Sequence, residues 1–183
     1  MSKFWSHFTT ITKHRWLVRK GCFKAGLYWQ GLVHDLSKYS PTEFWVGVKY
    51  FQGDRSPNNA EREDKGYSSA WLHHKGRNKH HYEYWIDYNS HGNKSGESIM
   101  VPVPMPDKYI AEMIMDRIAA SKVYRGKDYT DADPLNYYWQ GTQNAPLHDY
   151  TRTTLLKYLE MLAEKGEYET FAAIKRDLVK KKF

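Results

Sequence analysis

The chain has 183 residues, with 28 Lys plus Arg, 21 Asp plus Glu, nine His and one Cys. A chain of this length buries about 70% of its unfolded surface, enough for one core, so a single domain over 1–183 is expected. The lone Cys22 excludes an intrachain disulfide scaffold and a multi-thiolate zinc module. No apolar run approaches the ~20 residues that span a bilayer, which implies a cytoplasmic protein with no membrane partner. The +7 charge is uneven: residues 1–34 hold six basic groups and no acid, 35–174 sum to −3, and 175–183 sum to +4. Basic ends of this kind admit a nucleic acid, a small anionic substrate or plain solubility.

In chain order the pattern is helical. Residues 6–30 carry Phe8, Ile11, Trp16, Leu17 and Val18 at helical spacing. Ser40-Pro41-Thr42-Glu43 reads as a helix start with a capping box, opening a helix to about Gly53 that buries Phe44, Trp45, Val48 and Phe51. A polar stretch, Gly53 to Gly66, precedes a helix ending near His74, and Asn78 caps a further helix running through Trp85. Gly92, Gly96, Pro102, Pro104 and Pro106 forbid a continuous helix over 89–106, where Ile99-Met100-Val101 allows a short strand. Asp107 to Tyr124 is a strong helix, 126–147 a long ordered wrap or functional loop, and 151–165 and 167–181 are two helices parted by Gly166. His148-Asp149 is explained by capping of the first of these.

The histidines carry the chemical signal. His34 precedes Asp35 at the end of an apolar helical segment, His14 lies 20 residues earlier, and His73-His74 and His80-His81 flank a basic turn. Asp116 sits on the strong helix near Tyr109, Ala120 and Val123, where a buried carboxylate needs a metal, a cation or a proton. A salt bridge to Arg117 or a neighbouring Lys is the competing remedy, and Glu112, one turn earlier, is placed to orient a His. With no competing thiolates, imidazole and carboxylate suit Mn, Fe, Co, Ni or Zn, as one or two ions.

The order His14…His34-Asp35…Asp116 resembles the HD superfamily of metal-dependent phosphohydrolases, whose motif H…HD…D lies on a helical bundle. More narrowly, HDLSKYSPTEF (34–44), HHKGRNKHH (73–81) and EMIMD (112–116) resemble an uncharacterised bacterial and phage branch. The resemblance covers about 10–125; the helices of 146–183 match only generically. It implies an all-α, HD-domain-like bundle with His14, His34, Asp35 and Asp116 as metal ligands, and a lysine, here Lys38, that meets phosphate. Two-metal members add His ligands, a role open to His74 with His80 or His81, although their spacing departs from the best-known pattern. We take His74 and His80 as the added ligands, with His81 left to touch substrate.

The implied activity is hydrolysis of a phosphate ester, a nucleotide or related small phosphorylated molecule, by metal-activated water. Lys38 and Arg77 would stabilise negative charge, and His81 would move protons. Two other readings compete: a di-iron oxygenase of the same superfamily, and a non-enzymatic helical module that binds nucleic acid or protein through its basic ends.

Overall fold

A computed structural model describes residues 2–89 and 98–180. The expected glycine breaks at Gly92 and Gly96 lie outside the described residues. The first helix, α1 (Lys3–Lys24), buries a stripe of His7, Ile11, His14, Val18 and Cys22. Their spacing of three and four places them on one face. Gly26, at φ +84°, breaks the expected continuous helix, and α2 (Tyr28–Val33) folds back against α1. The turn Leu36–Tyr39 leads to α3 (Pro41–Tyr50), which starts where the Ser40-Pro41 signal places it.

Three local expectations are corrected here. Ser40 makes no side-chain capping bond, and Glu43, the other half of the expected box, is turned inward to two histidines. Trp45 is 58% exposed while Phe44 is buried, so the apolar face of α3 is narrower than its composition suggests. The polar stretch holds α4 (Pro57–Lys65), opened by Pro57 and closed by Gly66 at φ +79°. Its Glu61 is fully buried: it accepts from Ser68 Oγ (2.7 Å) and Ser69 Oγ (2.6 Å) at the start of α5 (Ser69–Lys75), which carries His73 and His74.

The helix expected from Asn78 does not form. Asn78 instead donates to Ser37 Oγ (2.9 Å) and to the His74 carbonyl (2.8 Å), and only a short turn, Tyr82–Trp85, follows. The strand at Met100–Pro102 (β2) pairs antiparallel with Ile86–Tyr88 (β1), Asp87 opposite Val101. Then come α6 (Asp107–Arg125), α7 (Asp133–Tyr137) within the ordered connection, and α8 (Asp149–Ile174), which is broken at Gly166 (φ 75°, ψ 178°). The architecture is an all-α helical bundle with one small two-stranded sheet. Val18 and Cys22 of α1, Ile110, Ile114 and Ile118 of α6, and Leu155, Leu159 and Leu162 of α8 share one core. That core fixes α1 against α6, and with them His14 against Asp116.

Candidate metal centre

His34 and Asp35 stand just beyond the end of α2. His34 leaves the helix at ψ 127°, and Asp35 adopts a left-handed backbone (φ 52°, ψ 27°), which Asp tolerates better than most residues. The reversal brings neighbouring side chains together, with His34 Nε2 3.3 Å from Asp35 Oδ2. Arg15 of α1 holds this corner, donating from Nε to the His34 carbonyl (2.7 Å) and from Nη2 to that of Leu32 (3.3 Å).

Onto Asp35 Oδ2 converge the other members of the H…HD…D order. His14 Nε2 lies 3.5 Å from that oxygen and 3.0 Å from Asp116 Oδ1, which is itself 3.5 Å from His34 Nε2. The second oxygen, Asp35 Oδ1, faces a different set: His74 Nε2 at 3.2 Å and His80 Nε2 at 3.3 Å, with His81 in the same group. Asp35 therefore belongs to two four-residue groups at once, each able to hold a metal ion.

A helix capped by Asn78 would send the His80 and His81 rings about 100° apart. The backbone at His81 is extended (φ −90°, ψ 128°), the rings lie 4.1 Å apart, and both histidines enter the group. Lys38 is at the centre too, its Nζ 2.7 Å from Asp35 Oδ2. Arg77 is not: it lies in the turn after α5, is exposed and donates to the His73 carbonyl.

Carboxylates behind the rings set which nitrogen carries the proton. His34 Nδ1 donates to Glu112 Oε1 at 2.9 Å, and His80 Nδ1 lies 3.2 Å from the same oxygen. His74 Nδ1 and His73 Nδ1 donate to the two oxygens of Glu43 at 2.7 and 2.6 Å. A proton fixed on Nδ1 leaves the Nε2 lone pair pointing inward, as a metal-binding imidazole requires. The sequence placed Glu112 in this role but read Glu43 as a helix cap. The adjoining His73-His74 pair, which a helix carries to one end of the cluster, was the available clue.

Hydrogen bonding does not satisfy all that meets at the centre. His14, His34, His80 and His81 Nε2 and both oxygens of Asp35 are buried without a well-aligned hydrogen bond, and of these six atoms Asp35 Oδ2 has the Lys38 ammonium beside it as an ion pair. Unpaired buried polar atoms are rare because each costs about 1–3 kcal/mol. Imidazole nitrogens and carboxylate oxygens gathered in two groups that share Asp35 fit a cation in each. Burial opposes charge on Asp35, yet His34, Lys38 and His74 hold its carboxyl well below the ordinary range. Asp116, also opposed by burial, is held well below it by His14 and His34. Burial and then the neighbouring His80 and His74 push His81 well down, which keeps it neutral with a free lone pair.

The fold and this cluster define a helical-bundle protein with a buried histidine–carboxylate centre able to hold metal. The chain belongs to a family of unknown function, DUF5662, whose model matches residues 3–161 and so takes in every residue of the cluster. No curated protein and no solved structure matches it. Among the described residues, no helix is long and apolar enough to cross a membrane.

Proposed function

We propose that the protein is a metal-dependent phosphohydrolase of the HD type, acting on a small phosphorylated molecule such as a nucleotide. The observation that carries this reading is the set of buried, unpartnered ligand atoms around Asp35. His14, His34, Asp35 and Asp116 would hold one ion; His74, His80, His81 and Asp35 would hold a second. Divalent ions of this kind supply a water of lowered pKa and draw charge from a phosphoryl oxygen. His81 thus joins the ligands instead of the proton-transfer role set out above. Lys38, beside Asp35, is the protein's own cation for the phosphate oxygens. Glu112 and Glu43 hold the rings in place, so the ligand set is organised before substrate arrives.

The test is elemental analysis followed by a phosphatase and phosphodiesterase panel across nucleotides, with Mn, Fe, Co, Ni and Zn supplied in turn. Hydrolysis that depends on added metal is the expected result. Metal-loaded protein that cleaves no phosphate ester overturns the reading. A di-iron oxygenase is the second reading, favoured by the carboxylate shared between two His-rich groups. An iron-specific, O₂-consuming reaction in place of hydrolysis would decide for it.

A further inference from the structure

The basic excess of residues 1–34 belongs to one helix. Lys3, Lys13, Arg15, Arg19, Lys20 and Lys24 all stand on α1, no acid lies among residues 1–34, and among the described residues none of the six forms an ion pair. The buried stripe that includes His14 takes one side of α1. The opposite side presents Trp5, Trp16 and Phe23 to solvent, with Trp5 56% and Trp16 48% exposed. At about 100° per residue their spacings, 11 and 7 residues, set the three rings within about 20° of one line about 27 Å long. Arg19 flanks that line on one side, and Lys13, Lys20 and Lys24 flank it on the other.

The row continues onto α2, where the Tyr28 ring meets Phe23 edge-on at 5.5 Å and the neighbouring Trp29 is 70% exposed. Lys20 Nζ stands 4.3 Å from the centre of the Trp16 ring, so a cation and an aromatic ring are offered together. Large rings left in water in a row mark an interaction surface. A helix that sinks into a bilayer needs a continuous apolar face. Here Thr9 and Thr12 fall between the rings, cations line both flanks, and every exposed large apolar side chain of α1 is aromatic. Rings spaced along a row of cations suit instead a polymer whose bases stack and whose phosphates carry charge.

We propose that the outward face of α1 and α2 binds single-stranded nucleic acid, with Trp5, Trp16 and Trp29 stacking on bases and Lys13, Arg19 and Lys20 meeting phosphates. The surface lies on the far side of α1 from His14, so it is separate from the metal centre and does not depend on the phosphohydrolase reading. A duplex keeps its base faces in its own stack, so exposed rings favour the single strand.

The experiment measures binding of the full chain to a fluorescent oligo-dT of about 20 nucleotides by anisotropy, over a series of salt concentrations. Wild type is compared with Trp16→Ala, Trp29→Ala and Lys20→Gln, with helical circular dichroism recorded for each. Wild type should bind at low salt, with affinity falling steeply as salt rises. Trp16→Ala should weaken binding about 5–150-fold at every salt concentration. Lys20→Gln should also reduce the slope of log K against log salt by about 0.7. Trp29→Ala, on the other helix, serves if Trp16→Ala does not fold. Absence of oligonucleotide binding at low salt overturns the proposal. So does salt-dependent binding that both tryptophan variants retain in full, or equal affinity for a duplex of the same length. If the tryptophan variants instead lose binding to phosphatidylserine vesicles, or lose self-association, and wild type binds no oligonucleotide, the surface serves a membrane or a second copy and the proposal falls.

Discussion

Glu112 Oε1 lies 2.9 Å from His34 Nδ1, so a carboxylate one turn before Asp116 holds the ring whose other nitrogen faces the centre. Replacing Glu112 with Gln keeps the shape but removes the negative acceptor. The expected result is a loss of about 10–100-fold in metal affinity with the helical circular dichroism retained. A metal titration that gives wild-type affinity for Glu112→Gln rules out the orienting role.

Glu112 also reaches His80 of the second group, whereas Glu43 serves the second group alone. It meets His74 and His73 but none of His14, His34 or Asp116. Glu43→Gln should therefore weaken one of two bound ions and spare the other, so that metal content at limiting concentration falls from two per chain toward one. Equal loss at both sites would show that the groups are not separable in this way.

How much of this was legible from the sequence follows from the range of each interaction. The helix Asp107–Arg125 and the start at Pro41 rest on local periodicity and on Ser-Pro chemistry, and both stand in the structure. The convergence of His14, His34, Asp35 and Asp116 was legible because the motif order marks it. The capping box at Glu43 and the helix after Asn78 fail for a common reason. Each follows from a plausible local rule that a long-range contact overrides. Glu43 gives up capping for two histidines on α5, and Asn78 is committed to Ser37 and His74. Arg77 was chosen for its closeness in sequence to four histidines, yet its side chain turns to solvent.

His7 provides a pH signature away from the metal ligands. Burial, and then the charge of Lys38, lower its pKa from 6.5 to about 4, and its Nδ1 has no partner. The folded chain keeps His7 neutral in a range where the unfolded chain takes up a proton. Its contribution to stability is thus complete above pH 6.5 and is lost as pH falls to about 4, on the order of 2–3 kcal/mol in all. Wild type should accordingly lose about 2 kcal/mol of unfolding free energy relative to His7→Leu from pH 7 to pH 4.5. A gap constant over that window contradicts the neutral, buried state of His7.

Gly47 faces the same ring. A Cβ at position 47 would stand 2.2 Å from His7 Nε2, and both residues are buried between α1 and α3. Gly47→Ala should therefore destabilise the fold by about 1–3 kcal/mol despite the better helix propensity of Ala. Thermal melting at neutral pH would read this as a lowered Tm; an unchanged or raised Tm would mean that α1 and α3 part freely.

Asp35 is the residue on which both groups depend, one oxygen toward each. The most direct measurement is metal content, by elemental analysis, of wild type and Asp35→Asn after loading with Mn, Fe, Co, Ni or Zn. Asn accepts the left-handed backbone of position 35, so the fold is retained while the bridging charge is lost. The expected result is two ions per wild-type chain and none held tightly by Asp35→Asn, with equal helical content. Metal-free wild type under every loading condition, or full metal content in Asp35→Asn, would contradict a metal centre built on Asp35.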